Sequence, residues 1–164
     1  TVKMKDFGSF TLELYPEYAP ETVANFVKLV KSGFYSGSKF HRVVEGFMAQ
    51  GGISAKGEEA DPIKGEFISN GYAANTLLHE RGVISMARTS NPDSASSQFF
   101  ICYDKCPTLD GSYAAFGKVI SGMETVDAIC EKVPVTDRNG TVMKNDQPVI
   151  TSIRMITAEE AVTK

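Results

Sequence analysis

The sequence predicts a mainly β protein: a closed barrel or sandwich of short strands, accompanied by two helices. Short apolar runs recur along the chain with turn residues between them, which favours an all-β barrel or sandwich over βαβ units; the runs are FHRVV, FMAQ, VISMA, QFFI, AAFGKVI and PVITSIRMI. Two other stretches show apolar residues at helical spacing. The length of 164 residues suits one domain with a sizeable core.

The N-terminal elements are predicted to be a β-hairpin and a helix. Apolar and polar residues alternate in VKM and in FTLEL, on either side of a turn at residues 6–8. This period of two is typical of half-buried antiparallel strands. Pro20 suits a first helical turn, and apolar residues then recur at helical spacing until Gly33. The first helix is therefore expected over residues 20–32.

The C-terminal half is predicted to contain loops, a second helix and a tight turn. Residues 52–71 are polar and glycine-bearing, as in a folded surface loop. A short helix is expected over residues 124–132. Asn139 and Gly140 predict a two-residue hairpin turn, because this dipeptide favours the positive φ angles that such a turn requires. After Ile156 we expect a frayed tail.

Composition and charge exclude several classes of function. The 17 basic and 20 acidic side chains give a net charge of −3, and neither sign forms a long block, so no nucleic-acid or membrane partner is expected. There are three cysteines and only two histidines, and no C-x-x-C pair. These residues predict reduced thiols rather than a metal site. We expect no metal and no cofactor.

The candidate chemistry is concentrated in two segments. No nucleophile elbow and no phosphate-binding glycine loop is present. In FHRVVEGFMAQGG, residues 40–52, strand alternation would place His41 and Arg42 on opposite faces, and Met48 and Gln50 on one face. Alone, this pattern fits a solvated arginine beside ordinary core residues. The second segment, residues 81–101, joins two apolar runs through a loop that leaves backbone donors and acceptors free at one barrel edge.

Three motifs resemble the cyclophilins in order and spacing. They are FHRVVEGFMAQGG, SMARTSNPDSASSQFFI and LDGSYAAFGKVISGMETVD. The resemblance implies a closed eight-stranded antiparallel β-barrel capped by two α-helices, with a domain at residues 1–156 and a tail at 157–164. It also implies a peptidyl-prolyl cis–trans isomerase that assists protein folding and needs no cofactor.

The resemblance also implies the roles of individual residues. The catalytic arginine would be Arg42, and Gln50 would orient it. The remaining positions would bind substrate: the proline pocket would be formed by Phe47, Met48, Phe100 and Leu109, the peptide groove by Ala87, Arg88 and Gln98, and a further wall by Tyr113.

Three positions depart from the usual cyclophilin pattern. Arg88 stands where asparagine is common, but the usual contact there is through the backbone. Thr108 replaces a frequent tryptophan that donates a hydrogen bond to cyclosporin, so we expect weak cyclosporin binding. Tyr113 replaces a histidine and keeps an aromatic wall. These changes affect inhibitor and substrate preference more than the catalytic core.

Three hypotheses of different classes remain open at this point: an isomerase, a proline-peptide binding module without turnover, and a structural scaffold with a dead site. The pairing of Arg42 with Gln50 favours turnover, because binding alone needs only apolar walls and backbone groups. His41 and His79 are assigned no catalytic role. The expected partners are proline-containing peptides and unfolded or flexible protein segments. We expect a cytoplasmic monomer.

Overall fold

Antiparallel strands make up most of the regular structure, which a computed structural model describes for residues 1–162. The strands are β1 Val2–Met4, β2 Gly8–Leu14, β3 Lys39–Val44, β4 Met48–Ile53, β5 Val83–Met86, β6 Phe99–Cys102, β7 Ala115–Ser121 and β8 Ile150–Ile153. They form one eight-stranded sheet in the order β3-β4-β6-β5-β7-β2-β1-β8. The predicted mainly β class and the N-terminal hairpin are confirmed.

The two outer strands of this sheet meet, so the sheet curls into a nearly closed barrel. The backbone N–H of Phe40 donates to the Pro148 carbonyl (3.0 Å), and that of Ile150 donates to the Ser38 carbonyl (2.8 Å). Lys39 and Val149 form a bridge between them. These contacts satisfy backbone groups that an open edge would leave unpaired.

Two helices pack their apolar faces against the core. Helix α1 spans Pro20–Lys31 and begins with proline in its first turn, where the missing N–H costs nothing. Its Phe26 contacts the rings of Tyr35, Phe99 and Phe116. Helix α2 spans Met123–Lys132, buries Val126 and Ile129, and packs on β2, β3 and β4.

The prediction of a frayed tail after Ile156 is wrong for the described residues, because a third helix, α3, spans Ala158–Val162. Its start is a capping box: the Glu160 N–H donates to Thr157 Oγ1 (3.2 Å), and the Thr157 N–H donates to Glu160 Oε1 (3.4 Å). The T-x-x-E spacing in the sequence was the signal for it. Positions 163–164 of the predicted tail lie outside the described residues.

The predicted two-residue hairpin turn at Asn139-Gly140 is also wrong in its geometry. Gly140 has a φ of +83°, but Asn139 does not share the positive φ that a type I′ turn needs. The turn instead runs over residues 137–140, with the Gly140 N–H donating to the Asp137 carbonyl (3.2 Å). Asp137 favours it further, because its carboxylate accepts the Thr141 N–H (3.1 Å). We call residues 137–141 the anchor loop.

No helix among residues 1–162 combines the length and apolar character needed to cross a membrane.

Candidate active site

A row of predicted and neighbouring residues crosses the outer face of the barrel wall. Arg42 in β3 pairs with Gln50 in β4, Gln50 pairs with Phe100 in β6, and Phe100 pairs with Ser85 in β5. Directly paired residues project to the same side of an antiparallel sheet, so these side chains share one face. The apolar residues next to them in sequence, such as Val43, Ala49 and Ile101, belong to the barrel core. The row therefore stands on a wall whose other side is packed.

A β-bulge in β3 turns Arg42 to this outer face. Phe40 and Arg42 pair with successive residues of β4, which leaves His41 as an extra residue without its own partner. Strict alternation would put Arg42 on the same side as Phe40, in the core. After the bulge, Val43 is the core residue and Arg42 is half-exposed. His41 does not line the site, and its Nδ1 is buried without a hydrogen-bond partner among residues 1–162.

The Arg42 guanidinium is held by two acceptors from separate parts of the chain. Its Nη1 donates to Gln50 Oε1 (3.1 Å), and its Nε donates to the carbonyl of Asn139 in the anchor loop (2.6 Å). Gln50 is oriented in turn, because its Nε2 donates to Gln98 Oε1 (3.0 Å). The remaining guanidinium N–H donors meet no protein acceptor within residues 1–162 and are available to another molecule.

The sequence reasoning missed the contact with Asn139. This residue lies 97 positions after Arg42, and the dipeptide signal at 139–140 indicates only a local turn. The Val43 N–H also donates to the Gly140 carbonyl of the anchor loop (2.8 Å). The loop therefore docks directly on the strand that carries Arg42.

All predicted site residues except Gln98 surround one cavity of about 230 Å³. Its lining is Arg42, Phe47, Met48, Gln50, Ala87, Arg88, Phe100, Leu109 and Tyr113. Gln98 lines an adjoining, more polar cavity of about 310 Å³, which shares Gln50, Ala87 and Arg88 with the first. The two cavities form a continuous groove along the wall.

The inner end of the first cavity is apolar. Met48 and Phe100 are only 3% and 5% exposed, and Phe47, Leu109 and Tyr113 pack around them. The Tyr113 ring meets Phe100 edge-to-face, with centroids 5.9 Å apart and an interplanar angle of 84°. A hollow of this size and lining suits a small apolar ring, with a fixed cation at its edge.

The comparisons with known proteins agree on one family. The family model described as cyclophilin type peptidyl-prolyl cis-trans isomerase matches residues 1–159. The chain belongs to this family. A peptidyl-prolyl cis-trans isomerase of Acinetobacter baylyi is 46% identical over 139 residues, covering 78% of this chain and 70% of the relative. The human peptidyl-prolyl cis-trans isomerase-like 3 is 41% identical over 134 residues, covering 81% and 82%.

Solved cyclophilin structures match the fold as well. A cyclophilin type isomerase of Cryptosporidium parvum, crystallised in the presence of the dipeptide Ala-Pro, has a TM-score of 0.76 and 30% identity, covering 95% of this chain and 97% of that one. A cyclophilin of Hirschia baltica has a TM-score of 0.73 and 29% identity, covering 92% and 71%. The cyclophilin fold and the isomerase activity class expected from the sequence are confirmed.

The three departures from the usual cyclophilin pattern lie at the rim of this groove. Thr108 is exposed on the 3-10 turn Pro107–Leu109, directly before the wall residue Leu109. Tyr113 and Arg88 lie on different segments but touch, with the Arg88 guanidinium carbon 4.5 Å from the Tyr113 ring centroid. The row formed by Arg42, Gln50, Phe100 and Ser85 contains none of the departures.

The structure adds a buried histidine behind the cyclophilin pocket. His79 lies in a loop, but it is 2% exposed and its ring stacks on Phe100 with centroids 6.0 Å apart. Its Nδ1 lies 3.0 Å from Asp110 Oδ1, and its Nε2 lies 2.8 Å from Ser85 Oγ. With the proton on Nδ1, the ring donates to the carboxylate and accepts from the serine. No sequence pattern indicated this network.

Both histidines are held in their neutral form by their surroundings. Burial lowers the pKa of His79, and the hydrogen bond and charge of Asp110 oppose this only in part. Burial, followed by the positive charge of Arg42, lowers the pKa of His41. Burial also raises the pKa of the free thiols Cys102 and Cys106, which keeps them protonated and poorly nucleophilic.

Other parts of the cyclophilin domain offer less chemistry. Within residues 1–162, His, Cys, Asp and Glu side chains form no cluster of three or more that could hold a metal ion. A larger cavity of about 700 Å³ lies between α1, β2 and α3, away from the row, and most of its side chains are apolar. The groove around Arg42 is therefore the candidate active site.

Proposed function

We propose that the cavity beside Arg42 binds the proline of an Xaa-Pro segment and that Arg42 stabilises the peptide bond as it rotates. The observation that carries this proposal is the guanidinium held at the edge of an apolar hollow by Gln50 and the Asn139 carbonyl. A cation fixed in this way loses little freedom when the substrate binds, which makes its interaction with the transition state more effective.

The reaction has a high barrier and almost no driving force. Resonance makes rotation about the peptide bond cost roughly 18–20 kcal/mol, although the trans form of an Xaa-Pro bond is favoured by only about 0.5–1 kcal/mol. At the perpendicular geometry the proline nitrogen loses conjugation and carries a basic lone pair. A donor aimed at that nitrogen stabilises the twisted state more than either planar state, which is the requirement for catalysis.

Arg42 is suited to this task because it keeps its charge at any working pH and presents donors in a rigid plane. Gln50 acts as its positioning residue and Gln98 orients Gln50 through the hydrogen bond between their side chains. The proposed step involves no electron transfer and forms no covalent bond to the enzyme. It therefore requires neither a metal nor a cofactor.

The groove holds the two sides of the rotating bond separately. Phe47, Met48, Phe100, Leu109 and Tyr113 would bury the pyrrolidine ring, which fixes the proline side. Next to them, the backbone N–H and carbonyl of Arg88 make no hydrogen bond within residues 1–162, so they can bind a flanking peptide unit. With the ring and one flank fixed, the other flank is free to turn.

The natural partners we propose are compatible with this geometry. Proline-containing peptides and unfolded or flexible protein segments can enter an open groove, and isomerisation of their Xaa-Pro bonds would speed a slow step of folding. The buried free thiols Cys102, Cys106 and Cys130 fit a reducing compartment such as the cytoplasm. The similarity to a cyclophilin crystallised with Ala-Pro also supports this substrate class.

Exchange NMR on an Ala-Pro peptide tests the proposal. We expect wild-type protein to accelerate cis–trans exchange and Arg42→Ala to lose about 10²–10³-fold of that rate while still binding the peptide, in line with the loss of one preorganised donor. Arg42→Lys should recover little, because a point charge does not reproduce the planar donor set. Arg81→Ala is the matched control, since Arg81 pairs with Asp127 outside the groove.

Two alternative functions give different results in the same experiment. A proline-peptide binding module would broaden the peptide signals without changing the exchange rate, and a scaffold with a dead site would do neither. Exchange that is equally fast in wild type and Arg42→Ala would refute the role of Arg42.

A further inference from the structure

The Arg88 side chain is folded against the protein. Its Nε and Nη2 both donate to the carbonyl of Ser112 (3.2 and 2.6 Å), and its Nη1 donates to the carbonyl of Thr89 (2.9 Å). The guanidinium carbon lies 4.5 Å from the Tyr113 ring centroid and 4.9 Å from that of Phe67. The cation therefore lies against two aromatic rings and has three hydrogen bonds to backbone carbonyls.

These contacts tie together two segments that face each other across the cavity. Arg88 follows β5, whereas Ser112 and Tyr113 lie on the connection between the turn Pro107–Leu109 and β7. Apart from the Arg88 side chain, no hydrogen bond of residues 1–162 engages the Ser112 carbonyl. Arg88 is thus the side chain that fixes this part of the connection.

Phe67 supports the Arg88 guanidinium on the side of the barrel core. It is only 2% exposed and belongs to the barrel core, so its ring offers a fixed surface for the guanidinium. Tyr113 lies on the more exposed side of the contact, because its ring is half-buried and forms part of the cavity wall. A cation held over the face of Tyr113 limits how far that ring can rotate away from Phe100.

We propose that Arg88 is a positioning residue, which holds Tyr113 against Phe100 and so preforms the wall that receives the proline ring. Two of the departures from the cyclophilin pattern, Arg88 and Tyr113, would then act as a pair, because Arg88 positions the Tyr113 ring. An arginine suits this role better than a lysine because a planar guanidinium can stack on a ring and donate from one edge at the same time.

This inference rests on the proposed function and makes a distinct prediction about it. Preforming the wall strengthens substrate binding, because the ring is ordered before the proline arrives. It does not act on the rotating bond, which is the proposed target of Arg42, and Arg42 is held by separate contacts with Asn139 and Gln50. Loss of Arg88 should therefore change affinity for the peptide and leave the rate of the bound peptide nearly unchanged.

The test measures peptide affinity and bound-state exchange rate separately by NMR with an Ala-Pro peptide. Arg88→Ala is expected to raise the dissociation constant about five- to tenfold, as for loss of a partly desolvated cation–π contact, with a bound-state rate within about twofold of wild type. Arg88→Lys should recover only part of the affinity. Arg81→Ala removes a comparable arginine over Tyr103 outside the groove and should leave both values unchanged.

A double-variant comparison tests whether the two residues act as a pair. Tyr113→Leu should weaken binding by itself, and adding Arg88→Ala should weaken it little further. Effects that multiply, full recovery of affinity in Arg88→Lys, or equal losses in Arg81→Ala would each overturn the inference. A fall in the bound-state rate that matches the loss of affinity would overturn it too.

A readout on the free protein separates this inference from the proposed function. Arg88→Ala should shift the Tyr113 ring resonances while the remaining spectrum stays dispersed, and no turnover is needed to observe this. If wild type binds the peptide without catalysing exchange, the proposed function fails. The dissociation constants of wild type, Arg88→Ala and Arg88→Lys then still decide the role of Arg88. If wild type does not bind the peptide at all, the free-protein spectra still decide: Tyr113 resonances that are unshifted in Arg88→Ala refute the positioning role of Arg88, and shifted ones support it.

Discussion

Replacement of Gly140 by alanine should displace the Arg42 side chain, although Gly140 itself does not line the cavity. Gly140 has a φ of +83°, and a Cβ placed there would lie 2.3 Å from the Val43 carbonyl oxygen and 2.7 Å from its carbon. Both atoms belong to the backbone of β3, so no side-chain rotation relieves the collision. The anchor loop would have to move away from the strand, and the Asn139 carbonyl would move with it.

These contacts determine the expected loss of stability and of kcat/KM in Gly140→Ala. An alanine in the left-handed region costs about 1–2 kcal/mol. Moving the loop also breaks the hydrogen bond from the Val43 N–H to the Gly140 carbonyl, which contributes about 0.5–1.5 kcal/mol. The total of about 1.5–3.5 kcal/mol corresponds to a Tm lower by roughly 3–14 °C for a domain of this length. Loss of the acceptor on Arg42 Nε should lower kcat/KM about tenfold, which is about 1.4 kcal/mol.

Gly33→Ala is the matched control. Gly33 has a similar φ of +78°, but an added Cβ would meet no atom within 4 Å. This variant therefore carries the backbone strain alone, with an expected loss of about 1–2 kcal/mol and unchanged kcat/KM. Thermal unfolding and exchange NMR on both variants give the comparison. If Gly140→Ala is no less stable than Gly33→Ala and turns over like wild type, docking of the anchor loop does not position Arg42.

Two further predictions concern the rim and the histidine network. Thr108→Trp should bind cyclosporin about tenfold more tightly than wild type, through one added hydrogen bond and apolar contact; equal affinities in a titration would contradict this. For His79, burial lowers the folded-state pKa, so its contribution to stability is complete above the unfolded pKa of about 6.5 and is lost as the pH falls from there towards the folded-state pKa. Urea unfolding between about pH 7.5 and 5.5 should show this loss, and His79→Gln should reduce it. Part of the slope should remain, because burial also lowers the pKa of His41; an unreduced slope would refute the assignment.

Much of the fold follows from local sequence patterns. The alternating runs correspond to strands of the barrel, and helical spacing after Pro20 predicts α1 closely. These patterns are informative because a half-buried strand or helix has to expose one side and bury the other. The capping box at Thr157 was also visible in the sequence, yet a short polar helix has no apolar period that draws attention to it.

The site was harder to predict because its geometry depends on distant contacts. Alternation from Phe40 would have buried Arg42, and only the bulge at His41 places it on the outer face. A bulge is set by pairing with β4, which residues 39–44 alone do not specify. The same is true of the Asn139 carbonyl and of the buried His79, whose partners Ser85 and Asp110 lie on other segments. The residues of the cavity were instead anticipated from their resemblance to cyclophilin motifs.

The two faces of the wall explain why residues at the rim can change while the row of Arg42, Gln50 and Phe100 stays the same. Gln50 and Phe100 alternate with core residues such as Ala49 and Ile101, which are completely buried, so a shift of the row would disturb the packing of the barrel. Arg88, Thr108 and Tyr113 lie in loops that connect these strands, and a substitution there leaves the core packing in place. A change at the rim can therefore alter which peptide or inhibitor binds, while the strands and the anchor loop still hold Arg42 in place.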